Sequence, residues 1–320
     1  MEKQPLLISV SGMYRTGSSA VIDLLREYEE LQIVNGEFKP FEAGLYKLLD
    51  KLTQGVTLSE NEVLQIEKGT LGYGRKAHLL IRVLRKLNNL FGTKILIEKG
   101  KNNRGYKELF PSYSKSTKHL FESIKSINRA IRNSGHQDSK QREYLIKALE
   151  SFFMDLLVDY NLGMRTPVFD QLIKAERLFL ADLMPNAKII CVMRDPRDQF
   201  CDIIATPDKK PSFSNPRRVD NFITEYKKRY SNATINLENA PGNVLKIQFE
   251  DLVYRNKTTT RNIEKHLQLQ SSSNSFYGKF FDRKKAADNV MRYKFHPHPE
   301  EIYLIEKSLS EWMYPFPESF

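Results

Sequence analysis

The sequence holds two cysteines and a single tryptophan in 320 residues, and none of its apolar runs approaches the roughly 18 residues that cross a bilayer. Two cysteines, Cys191 and Cys201, exclude the multi-bridge framework of a small secreted domain, and a reducing compartment is expected. The apolar stretch after Met1 is too short for a signal peptide. Together these absences predict a soluble, cytoplasmic protein. Internal repeats and low-complexity tracts are also lacking, and base-stacking aromatics are not clustered with the basic residues, which argues against a nucleic-acid partner.

What is present in excess is positive charge. Fifty Lys and Arg stand against 39 Asp and Glu, a net charge of +11. This favours an anionic ligand, an anionic polymer or contact with an acidic membrane surface. A hydrophobic content of 40% is ample for the core of one large α/β domain.

Leu6–Tyr28 reads as a strand, a tight loop and a helix. Leu6–Ser11 is an apolar β-capable run, Gly12–Ser19 holds two glycines and several hydroxyls, and Ala20, Val21, Leu24, Leu25 and Tyr28 recur at helical spacing. Such a loop aims unpaired backbone N–H groups and the helix dipole at an anion, most often a phosphate. Gly12 and Gly17 are separated by four residues and followed by Ser18-Ser19, the P-loop spacing with serine in place of lysine. That lysine reaches the β- and γ-phosphates of a nucleoside triphosphate, so a loop without it is poorly equipped for a terminal phosphoryl group. The cation inside the loop is Arg15, which points to a different anionic group. The plainer account is a glycine-containing turn that binds nothing.

A second strand, Leu31–Asn35, runs into Gly36-Glu37-Phe38-Lys39-Pro40-Phe41. Ligands of open parallel sheets sit outside the carboxyl ends of the strands, so Glu37 is expected on the rim that carries the loop, where a carboxylate can act as general base. A solvated turn glutamate is the competing account. Between about 42 and 165 the pattern turns helical, at Asn61–Ile66, Ala77–Leu90 and Tyr144–Tyr160, with a strand-like Lys94–Glu98 leading to Lys99. From Lys101 to Ser134 eight Lys and Arg face only Glu108 and Glu122. This basic helical face is either a solvated surface or a dock for an acidic or extended acceptor. Met164–Gln171 is extended and enters a helix predicted over Leu172–Met184.

Ala187–Met193 is the clearest strand, its near-continuous apolar run being that of a central parallel strand buried on both faces. It releases Arg194-Asp195-Pro196-Arg197-Asp198. A permanent cation at that strand end suits a two-pronged grip on phosphate, and Asp198 is placed to cap the helix running toward Ile204. The alternative is that Arg194 and Asp198 pair to brace the turn. A helix over Val219–Tyr230, a last strand over Asn243–Phe249 and a closing helix around Glu300–Trp312 complete the chain.

Taken jointly, these pieces resemble the sulfotransferase family that uses 3′-phosphoadenosine 5′-phosphosulfate (PAPS). Tyr14-Arg15-Thr16-Gly17-Ser18-Ser19 resembles its 5′-phosphosulfate loop, usually Pro-Lys-Ser-Gly-Thr-Thr. Ala187–Asp198 is similar to its 3′-phosphate strand and turn, and Phe249-Glu250-Asp251-Leu252 to a segment with a structural role. Asp288–Tyr293 with the following helix is similar to the family's C-terminal stretch. The resemblance implies an α/β three-layer sandwich with a central parallel sheet, P-loop NTPase-like, as a single domain over 1–320. A helical insertion at about 42–163 would form part of the acceptor site.

The resemblance further implies sulfuryl transfer from PAPS, without a metal, to a hydroxyl or amine of an acceptor. Glu37-Phe38-Lys39-Pro40-Phe41 resembles the base segment of the carbohydrate branch, so the acceptor is expected to be a saccharide or glycan precursor. In the roles it implies, Arg15 sits on the bridging and leaving oxygens, and Thr16, Gly17, Ser18 and Ser19 cradle the 5′ phosphate. Arg194 takes the 3′ phosphate, Glu37 is the base, and Arg283 to Lys285, with Arg283 and Lys284 foremost, close over the nucleotide. Two departures stand out. Asp202 occupies the position, eight residues after Arg194, where the family commonly has a phosphate-binding serine. The second active-site cation has two candidates, Lys99 and Arg165. A P-loop small-molecule kinase and a non-enzymatic polyanion-binding protein are the alternative readings.

Overall fold

The computed structural model describes residues 6–38, 40–71, 112–158, 165–205, 219–238 and 241–317, with the side chains of 35–37, 40, 43 and 231–238 outside that description. Among the described residues five strands form one sheet: β1 (Leu7–Gly12), β2 (Leu31–Glu37), β3 (Thr166–Asp170), β4 (Ala187–Met193) and β5 (Val244–Gln248). Their order is β2-β3-β1-β4-β5, and every pairing is parallel.

The period-2 alternation of the strands sorts the core into two layers. Ile8, Val10, Val168, Ile190 and Val192 face the helix Ser18–Leu25 and the helices Phe249–Tyr254 and Asn256–Leu267. Leu7, Phe169, Ile189, Cys191 and Met193 belong to the opposite layer, shared with the helices between β2 and β3 and with Val219–Glu238. The result is a three-layer α/β sandwich. Because β1 and β4 are covered on both faces, they carry runs of consecutive buried residues instead of a polar alternation.

The segment expected to be extended, Met164–Gln171, supplies β3, which sits inside the sheet between β2 and β1; its residues preceding Arg165 lie outside the described residues. One expectation is corrected here. The helix expected over Leu172–Met184 is a 3₁₀ run, Ala175–Leu183, interrupted by non-helical backbone at Arg177. The side chains of β1 explain why. Ser9 Oγ accepts from Ile173 N at 3.1 Å, Ser11 Oγ donates to Ile173 O, and Tyr46 Oη donates to Leu172 O, so 172–173 is pinned against the sheet before a helix can begin. The strand expected at Lys94–Glu98, with Lys99, and the helix at Ala77–Leu90 lie outside the described residues.

Between β2 and β3 the described chain is helical, at Pro40–Ala43, Leu45–Thr53, 60–71, Tyr113–Ser134 and Ser139–Val158. Gly135, left-handed at φ 76°, ends the fourth of these and turns the chain into the fifth. The basic face of Tyr113–Ser134 is partly spent on its neighbour, with Lys125 2.6 Å from Glu67, Arg129 4.0 Å from Glu60, and Arg132 donating to Leu58 O. Among the described residues no helix is long and apolar enough to cross a membrane.

Parallel strands deliver all their carboxyl ends to one rim. Met13 after β1, Glu37 at the end of β2, Asp170 at the end of β3, Arg194 after β4 and Phe249 after β5 therefore share it. Arg165 precedes β3 and stands at the opposite rim, which removes it as an active-site cation. The exit from β2 is fixed by packing. Phe38 is 1% exposed, edge-on to Phe41 at 5.1 Å and Phe169 at 5.5 Å, and 6.0 Å from Phe153 of the helix Ser139–Val158. Its N–H donates to Asp170 O at 2.8 Å. Phe38→Ala is expected to lower unfolding free energy by about 3–5 kcal/mol in chemical denaturation, and Phe38→Leu by visibly less.

Candidate active site

The loop between β1 and the helix Ser18–Leu25 is held in shape by unusual backbone and by distant partners. Arg15 and Gly17 are both left-handed, at φ 64° and 90°. Thr16 folds the turn back on itself, its N–H and Oγ1 both donating to Met13 O, at 3.2 and 2.9 Å. Gly17 lies against the ring of Phe249, where an added Cβ would come within 2.4 Å of a ring carbon. A side chain is thus excluded there both by conformation and by space. The helix then starts without a side-chain cap; Ala20 N donates to Gly17 O at 3.0 Å, and the N–H groups of Ser18 and Ser19 come before the first intrahelical acceptor.

Gln171, itself left-handed at φ 57°, spans the loop from β3. Its Oε1 accepts from Gly12 N at 3.4 Å and its Nε2 donates to Ser18 Oγ at 3.3 Å. On the other side Gln199 Nε2 donates to Tyr14 O, and Gln199 Oε1 accepts from Tyr230 Oη at 3.1 Å. A cleft of about 480 Å³ opens at the loop, lined by Gly12 to Ser19 together with Asp170, Gln171, Lys174, Glu176 and Arg229. Arg15 and Ser19 are exposed in it, Thr16 is buried, and Gly17 and Ser18 lie between. Lys174 forms an ion pair with Glu42 at 2.8 Å, which brings the helical region after β2 to the cleft.

Arg194 is only 3% exposed. One guanidinium nitrogen donates to Arg15 O at 2.9 Å and to the Asp202 carboxylate, the other to Asn289 O at 2.6 Å, and its carbon lies 5.1 Å from the Phe249 ring centroid. Its Nε is buried with no hydrogen-bond partner. Asp202 also accepts from Arg292. The pairing with Asp198 weighed as an alternative is not what forms. Nor does Asp198 cap the following helix: it is fully buried and its carboxylate accepts from Met291 N at 2.7 Å and Tyr293 N at 3.2 Å. Asp195 has the capping place instead, immediately before Pro196 at the helix start, with its Oδ1 accepting from Arg197 N and Nε, each at 2.9 Å.

The tail thus reaches Arg194 through Asn289 and Arg292. Arg283 Nε donates to Val253 O at 2.6 Å and the Lys284 main-chain N donates to the capping Asp282, both residues are exposed, and neither lines the loop cleft. The backbone of Glu37 is where the sequence predicts it, in register with Asp170 across the β2–β3 pair, after a bulge between Val34 and Glu37. Its side chain lies outside the described residues. Gln171, Lys174, Arg229 and Arg292 were not singled out by pattern. Reading Thr166–Asp170 as a sheet strand would have placed Gln171 and Lys174 on the rim; Arg292 lies in the Asp288–Tyr293 stretch without having been given a role, and the local sequence around Arg229 carries no comparable signal.

Beneath the turn lie carboxyls displaced upward by burial. Asp198 is pushed up to about 6, chiefly by desolvation and against the pull of Arg194. Glu250 is pushed up to about 8 by desolvation, although its Oε1 accepts from Asp195 N at 2.9 Å. Cys191 and Cys201 are free and buried. Among the described residues no group of three His, Cys, Asp or Glu side chains is arranged to hold a metal ion.

A model of the sulfotransferase family matches residues 5–273. No curated protein matches the sequence. Among solved structures, the chain is similar to the sulfotransferase domain from the Synechococcus PCC 7002 olefin synthase, with a TM-score of 0.42 and 11% identity over 99% of this chain and 98% of that one. It is similar to a sulfotransferase from Mycobacterium avium at 0.42 and 10%, over 97% and 76%. The sulfotransferase domain from the curacin biosynthetic pathway gives 0.38 and 12%, over 99% and 100%.

Two outcomes test this construction. Gly17→Ala should cost about 1–3 kcal/mol of stability, read from denaturant midpoints, because the left-handed backbone and the Phe249 ring both oppose a Cβ. Glu250 binds its proton more tightly folded than unfolded, so its favourable contribution is complete below about pH 4.5 and is lost as pH rises toward 8. Glu250→Gln should therefore flatten the fall of stability across that range, by up to about 1.4 kcal/mol per pH unit, in melts run from pH 5 to 8.

Proposed function

The chain belongs to the sulfotransferase family, and we propose that it moves a sulfuryl group from PAPS to a hydroxyl or amine of a saccharide or glycan precursor. The observation that carries this reading is the cleft at the loop, in which Arg15, the hydroxyls of Ser18 and Ser19 and the first turn of a helix meet a polar wall of Asp170, Gln171, Lys174, Glu176 and Arg229. Such a loop fits a 5′-phosphosulfate, since its cation, hydroxyls and N–H groups are all donors and the helix dipole favours an anion. The polar wall suits an acceptor rich in hydroxyls, each of which both donates and accepts.

When bound, the donor supplies a sulfuryl group whose sulfur bonds to the acceptor oxygen as its bond to the 5′-phosphate oxygen breaks, the electron pair leaving with that oxygen. The chain's residues serve this exchange in distinct ways. Glu37, on the rim beside Asp170, takes the acceptor's proton. Arg15 and the first-turn N–H groups stabilise negative charge on the bridging and leaving oxygens, an effect strongest where water is excluded. Thr16 to Ser19 hold the 5′ phosphate, and Arg194 is the cation for the 3′ phosphate. Residues of the helical region at about 42–163, of which Glu42 touches Lys174, form part of the acceptor site.

Glu37→Gln is expected to lower turnover by about 10²-fold or more, measured with labelled donor and a panel of saccharide acceptors. Its affinity for adenosine 3′,5′-bisphosphate should stay within about threefold of the parent, a shift under 1 kcal/mol, by calorimetry. Retained turnover removes Glu37 as the base. Tight binding of ATP–Mg²⁺ in preference to the bisphosphate would sink the donor assignment.

A further inference from the structure

The most unusual feature of the site is that its buried cation already has an anion. Arg194 and Arg292 converge on the two oxygens of one carboxylate, Arg194 on Oδ2 and Arg292 on Oδ1 of Asp202. A pair of guanidiniums closing on two oxygens is the arrangement in which arginine also grips phosphate. Asp202 lies two helical turns from Arg194 in sequence, on the helix Pro196–Ala205, and is itself 16% exposed while Arg292 is 37% exposed. The carboxylate therefore sits between the two guanidiniums, with the buried Arg194 beneath it and the more exposed Arg292 on the solvent side. Beside it opens a cleft of about 770 Å³ lined by Cys201, Asp288, Arg292, His296 and Glu301 among others. There is room on that side for the carboxylate to leave or for another anion to approach.

Resting on the reading of PAPS as donor, we propose that Asp202 is an internal competitor for the nucleotide's 3′-phosphate. The two anions need the same guanidinium edges, so the phosphate binds by turning the Asp202 carboxylate out of the Arg194–Arg292 pair. The exchange has a sign. A phosphate carries more charge than a carboxylate and keeps a net advantage, but part of its attraction to Arg194 is cancelled by the pair it breaks and by repulsion from the displaced carboxylate. Affinity for the donor and for the bisphosphate product is lowered together, and the returning carboxylate helps expel the product. Asp202 is thus a specificity-determining residue that holds the worth of the 3′-phosphate low. The same carboxylate neutralises a buried arginine, whose pairing, once broken from one side, leaves an uncompensated charge. Stability and bisphosphate affinity should then respond to its removal in opposite directions.

Asp202→Asn and Asp202→Ser, compared with the parent by calorimetry, test this with adenosine 3′,5′-bisphosphate and adenosine 5′-monophosphate as probes. Both variants should melt at lower temperature yet bind the bisphosphate at least about tenfold tighter, with monophosphate affinity within about twofold. Saturating bisphosphate should restore much of their lost melting temperature. Variants that bind the bisphosphate no tighter than the parent overturn the competition and leave the donor assignment standing. If parent and variants all fail to bind either nucleotide at millimolar concentration, the donor assignment itself is overturned and the competition with it. Should neither variant fold, the parent alone decides: a bisphosphate preference over the monophosphate below about tenfold supports the competition, and one above about a hundredfold overturns it.

Discussion

The rim of the sheet is assembled around one guanidinium. Arg194 leaves β4 as a buried cation, and a charge in that position must be surrounded by acceptors. It finds them in three separate parts of the chain: the Arg15 carbonyl in the loop, the Asp202 carboxylate on the following helix and the Asn289 carbonyl in the tail. The left-handed backbone at Arg15 and the ring of Phe249 complete the enclosure. The same ring bears on Gly17, so the loop, the end of β5 and the strand that delivers Arg194 are fixed relative to one another through Phe249.

A second ring of contacts steadies the turn below. Asp195 binds the Arg197 guanidinium through both oxygens, at 2.9 and 2.7 Å, and Arg197 reaches Glu306 at 2.8 Å while lying 4.0 Å over the Tyr293 ring. Asp198 takes the N–H groups of Met291 and Tyr293, and Glu250 takes that of Asp195. Asp195, Asp198 and Glu250 each receive main-chain donors and belong to the scaffold. The consequence is a division of labour between rows of acids. Those following β4 hold the tail in place, while Glu37 and Asp170, at the ends of β2 and β3, stand on the rim beside the loop.

The parts legible in the sequence were those where a local pattern and the global fold agree. β4 runs from Ala187 to Met193 in pattern and in structure because a strand buried on both faces has to be apolar throughout. The loop was legible because glycine at 12 and 17 between an apolar strand and a helical repeat marks its conformation. β3 was harder. Thr166–Asp170 is short and includes Pro167, so its place between two strands depends on long-range pairing that no window of residues displays. The 3₁₀ segment after it is shaped by Ser9, Ser11 and Tyr46, more than 100 residues earlier in the chain. The site divided in the same way. Arg194 and the Glu37 backbone stood where strand ends predict, whereas the partners of Arg194, Asp202 through a side-chain pair and Asn289 through a carbonyl, come from tertiary packing. Asp202 looked like an obstacle because a sequence shows a charge but not the cation it answers.

The Gly17–Phe249 contact bears on how the molecule comes to exist. The loop is near the start of the chain, yet its neighbours are Gln171, Arg194, Gln199 and Phe249, and Arg194 in turn waits for Asn289. Contacts of such sequence separation are slow to form, since each requires closure of a long loop of chain. The loop is therefore made before its partners and is among the last parts of the sheet rim to reach its folded shape. Until Phe249 has been made, the loop lacks the ring that bears on Gly17, and Arg194 lacks the Asn289 carbonyl until later still.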